Sequence, residues 1–389
     1  MSSKKKVGIV TLHHANNYGA VYQTYALSSY IEGLGFEVFI IDYVMDRATI
    51  YSYLKNPIVF LRKMLSKKAF TVSFLKEKRQ YHQGKHREEG FLEKFNDFRK
   101  DFLNITKREY DYTELKKSCP KTDFLITGSD QVWAADFFFS SPAYLLGFCP
   151  KGVKRISYAP SFGKSRLEPY LHRIFKDKLL KFDAVSVRER SGVEIVKEVA
   201  GIDAIKVVDP TLLLKSYSNI VDYSLVPSSP YILTYRLNQE HGLACWMSDC
   251  IKKISIDKGL PVYRVSTNNS LGLEEIGEDL QPTPGQLLGL IEKSSMVLTN
   301  SFHGTVFSLL FRVRFLCFAR DIFEDKQNLR MLELLDLVGL QDLFCQPFID
   351  PCLIGKKTDC GIDWGDVHQK LGQARLESES FLRKALEIE

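Results

Sequence analysis

The sequence predicts an α/β protein built from two doubly wound domains that face a cleft. Three observations predict it. Short apolar runs alternate with helical patterns along almost the whole chain, the pattern of parallel sheets covered by helices on both faces. The alternation pauses once, at the polar Ser- and Pro-containing run Ser216–Pro230, and then restarts. The 389 residues are 45% hydrophobic, enough for about two or three domain cores. The chain therefore divides into an N-terminal domain over 1–215, a linker over 216–230, a C-terminal domain over 231–365 and a helical tail over 366–389.

Val7–Thr11 reads as the first strand. Ala20–Leu34 carries Val21, Tyr25, Leu27, Tyr30, Ile31 and Leu34 at helical spacing, with Gly33 and Gly35 where a helix stops. Phe36–Asp42 is rich in β-branched and aromatic residues, a second strand. Strands follow at Asp123–Thr127, Arg155–Ala159, Ala184–Val187 and Ile205–Val208, with helices over Arg166–Phe182 and Gly192–Val199. Beyond the linker the strands are Tyr231–Tyr235, Pro261–Ser266, Met296–Thr299 and Phe315–Ala319. Their helices are Gly242–Ile256, Pro284–Ser294, Gly304–Phe311 and Gln327–Val338, and Val367–Ile388 is helical and charged.

A charged fraction of 26%, with 24 Gly and 14 Pro, excludes disordered, coiled-coil and collagen-like chains. No apolar run reaches the roughly 18–20 residues of a membrane span. The apolar stretch Val7–Leu12 is too short for a secretory leader, so a cytoplasmic location is expected. The eight cysteines form no CxxC pair and read as buried or idle thiols.

The net charge of +6 is uneven. Residues 51–110 hold fifteen Lys/Arg against seven Asp/Glu, a net of +8, which leaves −2 for the rest. Within this insertion Phe91, Leu92, Phe95, Phe98, Phe102 and Leu103 recur at helical spacing. Tyr53–Phe74 mixes aromatics with Arg62, Lys63, Lys67 and Lys68. Two uses stay open: peripheral contact with an anionic membrane face, or a solvated lid over the cleft. No nucleic-acid partner is expected, because no helix-turn-helix, RRM or zinc signature is present.

In doubly wound folds ligands bind beyond the carboxyl ends of the strands, so the residues that follow strands come first. After strand one, Thr11–Ala20 crowds His14, Asn17, Tyr18 and Gly19 into one strand–helix turn. A ligand site there competes with simple helix capping by Asn. In Thr127–Trp133, Asp130 and Gln131 follow Gly128, and Asp130 can orient or deprotonate a sugar hydroxyl. A helix cap is the competing role. Arg188, just past another strand, suits a carboxylate or phosphate because its guanidinium binds either bidentately. A surface pair with Glu189 is the competing role. In Thr299–Thr305, Gly304 and Thr305 place a helix start at a strand end, a ready anion site. His303 stands beside it among Asn300, Ser301 and Gly304, placed to donate a proton. Asp209-Pro210-Thr211 reads first as a turn.

Taken together, these stretches resemble the polysaccharide pyruvyltransferase family. The matching segments run in order: VGIVTLHHANNYGAVYQTYAL, FEVFIIDY, DFLITGSDQVW, ISYAPSFG, VSVRERSG, VVDPTLLL and TNSFHGTVFSLLF. The resemblance implies two Rossmann-like domains in a GT-B-like arrangement. It also implies a reaction in which phosphoenolpyruvate gives its pyruvate to two hydroxyls of a sugar as a cyclic ketal, releasing phosphate. His303 is then the acid that protonates the enol's methylene carbon. Arg188 and the helix start at Gly304 take the donor's carboxylate and phosphate. Asp130, or His14 and Asn17, assists a hydroxyl. No metal and no cofactor is required, phosphoenolpyruvate being a substrate. A lipid-linked acceptor is one that the basic insertion would meet at a membrane.

Two departures stand out. Some members carry an Arg where this chain has Ser301, and Trp133 is followed by Ala134 rather than Asn. Arg236, Arg264, Arg320 and Arg330 are the candidates to replace the missing guanidinium. Sugar transfer from a nucleotide-sugar on the same architecture is the alternative reaction. A non-catalytic pathway partner is the third reading, favoured if His303 and Arg188 do not face one cleft.

Overall fold

The computed structural model describes residues 4–44, 85–134, 142–237, 239–266, 276–322 and 328–388. Two parallel sheets of six strands form its frame. The first comprises β1 (Lys6–Val10), β2 (Glu37–Ile40), β3 (Phe124–Thr127), β4 (Lys154–Ser157), β5 (Ala184–Val187) and β6 (Ile205–Lys206), in the order β2-β1-β3-β4-β5-β6. The second comprises β7 (Ile232–Arg236), β8 (Val262–Ser266), β9 (Glu278–Leu280), β10 (Met296–Thr299), β11 (Phe315–Phe318) and β12 (Phe344–Cys345), in the order β12-β11-β10-β7-β8-β9. Read from its other edge, that is the Rossmann order.

The strands are apolar on both faces because helices cover both. β3, β10 and β11 are buried at every residue. The helices are α1 (Tyr18–Gly33), α2 (Lys85–Phe102), α3 (Tyr112–Lys117), α4 (Pro169–Leu179), α5 (Arg190–Ala200), α6 (His241–Lys258), α7 (Pro284–Lys293), α8 (Phe302–Leu310), α9 (Asn328–Val338), α10 (Pro351–Lys357) and α11 (Trp364–Ala385). Each sheet reverses its winding once, between β1 and β3 and between β7 and β10. Crevices for ligands open at such points.

Helix α1 joins the two halves. It is buried on nearly every side, as a helix between two packed layers must be. The Tyr18 hydroxyl donates to the Pro282 carbonyl at 2.7 Å and the Tyr22 hydroxyl to the Pro284 carbonyl at 2.6 Å. The 216–230 run has no helix or strand, yet Tyr217 and Ile220 in it are buried. Asn219 donates to the Tyr25 hydroxyl at 2.6 Å, so this connection is packed against α1.

The C-terminal helix α11 also spans both halves. Val367 and Leu371 pack in the core of the second sheet, and Phe381, Leu382 and Leu386 in that of the first. Ser378 Oγ accepts from the Val208 amide at 2.9 Å, and Arg375 Nε donates to the Leu212 carbonyl at 2.6 Å.

The described part of the basic insertion buries part of its apolar face and leaves Leu92 and Phe102 exposed. Phe95 and Phe98 on α2 are buried against Tyr18, Tyr22 and Tyr25. Lys94 Nζ donates to the Gln281 carbonyl of the other half. The Tyr53–Phe74 stretch lies outside the described residues. All eight cysteines are free thiols, and no described helix is long and apolar enough to cross a membrane.

Candidate functional site

Three strand ends of the first sheet and one of the second converge on a single carboxylate. Asp209, four residues past Ile205, begins a 3-10 turn and caps it: its Oδ1 accepts from the Thr211 amide at 3.0 Å and from the Thr211 hydroxyl at 2.7 Å. The other oxygen accepts from Arg188 at 2.6 Å and from the Ser129 hydroxyl at 3.3 Å. His303 Nε2 lies 3.8 Å from Oδ1, within ion-pair reach but beyond hydrogen-bond distance. Burial alone would raise the Asp209 pKa. His303, Arg188 and Thr211 outweigh it and hold the carboxyl far below the usual carboxylate range. Arg188, whose pKa burial would lower, is held above its ordinary value by Glu189, Asp209 and Asp130.

The cluster leaves selected polar atoms unused. Arg188 is 5% exposed; its Nε pairs with Glu189 at 3.0 Å and one terminal nitrogen with Asp209. The other terminal nitrogen is buried with no hydrogen-bond partner, 3.9 Å from Asp130 Oδ1. His303 Nε2 is likewise buried and unpartnered. So is Nε of Arg330, on α9, whose pKa is pushed down to about 10 by burial and then by the Arg188 charge. Unpartnered buried polar atoms are expensive, and three of them gather here. Arg188, Asp209, Phe302 and Arg330 line a cavity of about 180 Å³.

Two backbone features mark the same place. Asp130 holds φ 67° and ψ −170°, a region essentially reserved for glycine and costing about 1–3 kcal/mol. Its carbonyl is fixed by the Val132 amide at 2.8 Å and the Ser161 amide at 2.9 Å, and its side chain is 21% exposed. Gly19, in the first turn of α1, seats the His303 ring: a Cβ there would lie 2.2 Å from His303 Nδ1. Gln131 follows Asp130, half-buried.

Other predicted residues are used inside the protein. Ser301 caps α8 by accepting from the Gly304 amide at 3.3 Å, and the Thr305 amide donates to the Ser301 carbonyl at 3.0 Å. The amides that made this helix start a candidate anion site are therefore already bonded. A Cβ on Gly304 would meet Thr299 Oγ1 at 2.5 Å, so this glycine serves helix–strand packing. The Thr305 hydroxyl donates to the Ser301 carbonyl at 3.1 Å. Asn300 bonds both backbone groups of Leu237, at 2.7 and 2.9 Å, pinning β10 to β7 at the switch point. Asn17 caps α1 through the Gly19 amide at 2.8 Å. Tyr18 is fully buried and bonded to Pro282. Asn17 and Ser301 share one reason: strand–helix turns need polar caps whether or not they bind a ligand.

His14 finds a different partner. Its Nε2 lies 2.6 Å from Oδ1 of Asp42, which follows β2, and His13 Nε2 lies 3.1 Å from the same oxygen. Burial, and after it His13, hold the His14 imidazole below its ordinary pKa, with Asp42 opposing. Arg99 fastens this loop, donating to the His13 carbonyl at 2.8 Å and to the His14 and Ala15 carbonyls at 3.1 Å. Sequence reasoning passed over His13 and Asp42 and read Asp209 as a turn.

A sequence model of the polysaccharide pyruvyl transferase family matches residues 17–322, a span that includes Asp130, Arg188, Asp209 and His303. The chain belongs to the polysaccharide pyruvyl transferase family. Solved structures add the fold. UDP-N-acetylglucosamine 2-epimerase from Rickettsia bellii is 14% identical with a TM-score of 0.52, over 99% of this chain and 96% of that one. The Methanocaldococcus jannaschii UDP-GlcNAc 2-epimerase is 9% identical with a TM-score of 0.53, over 93% of each chain. The S. aureus MnaA–UDP structure is 11% identical with a TM-score of 0.52, over 99% and 98%. At such identities the likeness concerns fold alone. It agrees with the GT-B-like pair of Rossmann-like domains that the pyruvyl transferase sequence predicts. No curated protein matches the chain.

Proposed function

We propose that this pyruvyl transferase takes phosphoenolpyruvate as donor and converts two hydroxyls of a sugar into a pyruvate ketal, releasing phosphate. The observation that carries the reading is the meeting of Arg188 and His303, from different sheets, on the buried Asp209 carboxylate. A non-catalytic partner has no need to hold these groups together with their outer nitrogens unpartnered.

The donor carries a carboxylate and a phosphate, and two guanidiniums answer them. Arg188 offers its unpartnered terminal nitrogen. Arg330 takes the part left open by Ser301. An anion between Arg188 and Arg330 relieves the repulsion that lowers the Arg330 pKa. Protonated His303 gives its Nε2 proton to the methylene carbon, making it a methyl group and leaving an oxocarbenium-like centre at C2. Asp209 stabilises the imidazolium before transfer and holds the ring in place. One sugar hydroxyl adds to C2 as Asp130 accepts its proton. The second hydroxyl then displaces phosphate from C2 and closes the ketal, its proton leaving with phosphate or solvent.

The test is a thermal-shift titration of the full chain with phosphoenolpyruvate, and with UDP- and GDP-sugars in parallel. A ligand that binds the folded state raises the melting temperature. Stabilisation by phosphoenolpyruvate that needs about ten- to a hundredfold more ligand in Arg330→Ala and is kept in His303→Gln is expected. Stabilisation by a nucleotide-sugar alone would replace pyruvyl transfer by sugar transfer.

A further inference from the structure

The turn after β1 and the end of β2 hold a second cluster that the transfer chemistry does not use. Among the described residues, His13, His14 and Asp42 bring one ligand atom each within 4.8 Å of one another. Both imidazoles aim Nε2 at the same carboxylate oxygen, at 3.1 and 2.6 Å. Their ring centroids are 4.0 Å apart.

Hydrogen-bond chemistry limits what this arrangement can be. His13 Nδ1 lies 3.1 Å from the Thr11 carbonyl, and a carbonyl only accepts, so Nδ1 carries the proton. That leaves Nε2 as the nitrogen turned toward the Asp42 carboxylate, at 3.1 Å, beside His14 Nε2 on the same oxygen.

We propose that His13 Nε2, His14 Nε2 and the Asp42 carboxylate bind a divalent transition-metal ion of the zinc class. Zinc bonds of about 2.0–2.2 Å in tetrahedral geometry set ligand atoms about 3.3 Å apart, and small side-chain adjustments reach that spacing from the distances here. Two imidazoles with one carboxylate suit zinc and its neighbours, whereas magnesium and calcium prefer oxygen alone. The bond from His13 Nδ1 to a backbone carbonyl is the support that metal-bound histidines ordinarily have. Arg99 holds the loop backbone on the other side. Three protein ligands leave a fourth position for water or a ligand oxygen, on the side where His14 is 49% exposed. The ion would tether the loop that leads into α1, whose Gly19 seats His303. This inference does not depend on the identity of the donor.

The test uses the full chain, stripped with a chelator and titrated with Co²⁺ as a visible-absorbing probe, then with Zn²⁺. Expected are d–d bands that saturate at one equivalent, fade on adding Zn²⁺, and vanish in His14→Ala and Asp42→Asn. His241→Ala should keep them, although it removes a different imidazole that faces a thiol, Cys245 Sγ at 3.6 Å. Truncating His14, half exposed, leaves the core intact, and circular dichroism checks both variants. No saturable band in the wild type would overturn the proposal. So would bands that persist unchanged in folded His14→Ala and Asp42→Asn.

Discussion

After β10, Asn300, Ser301, Gly304 and Thr305 direct their polar atoms to one another, to Leu237 or to the helix that follows. After β3, β5 and β6, Ser129 and Arg188 bond to Asp209, yet the outer nitrogen of Arg188 stays unpartnered. Both regions are polar, buried and at carboxyl ends of strands. The difference separates frame from site. Where every donor has an internal partner, mutation should cost stability. Where a buried donor has none, mutation should cost binding or rate.

The largest effect should come from Asp209, which belongs to both classes. Asp209→Asn leaves Arg188 short of a buried counter-charge and should lower the unfolding free energy by about 3–5 kcal/mol, read from urea midpoints. The sign of its pH dependence follows from its depressed folded pKa. The stabilisation is present above the unfolded carboxylate value of about 3.9 and is lost as pH falls below it. The variant should lack that part of the acid limb.

His303→Gln should lower transfer by about 10²- to 10⁴-fold with little change in melting temperature. Gly19→Ala sharpens the point, because its new methyl group pushes the His303 ring aside. About a hundredfold loss of rate with the donor still bound is expected. Arg330→Ala removes one charge-assisted contact worth about 1.5–3 kcal/mol, so calorimetry should show donor affinity weaker by about ten- to a hundredfold. Its stability should not fall, since the mutation also removes repulsion from Arg188. Ser301→Ala is the frame control. It should cost about 1 kcal/mol of stability through the lost cap and leave donor affinity unchanged. Equal affinity losses in Arg330→Ala and Ser301→Ala would erase the distinction.

Much of the frame was legible in sequence. Met296–Thr299 and Ala184–Val187 are apolar and bounded by turn residues, and the strands fall on those residues. β9 and β12, of three and two residues, carry too little pattern to read, and α10 with seven residues is equally short. His303, Arg188 and Asp130 could be picked out because they follow strands. Asp209 was under-read because Asp-Pro-Thr does form a turn, and its second oxygen does the rest. Arg330 sits inside a helix with no motif around it. The helix start at Gly304 reads in sequence as an anion site, and its cap, Ser301, shows only in the structure.

The most direct test is a crystal structure of the full chain soaked with phosphoenolpyruvate. The donor's anionic groups are expected between Arg188 and Arg330, with the methylene carbon facing His303 Nε2. A donor seated on the amide end of α8, away from Arg330, would contradict the proposed transfer chemistry.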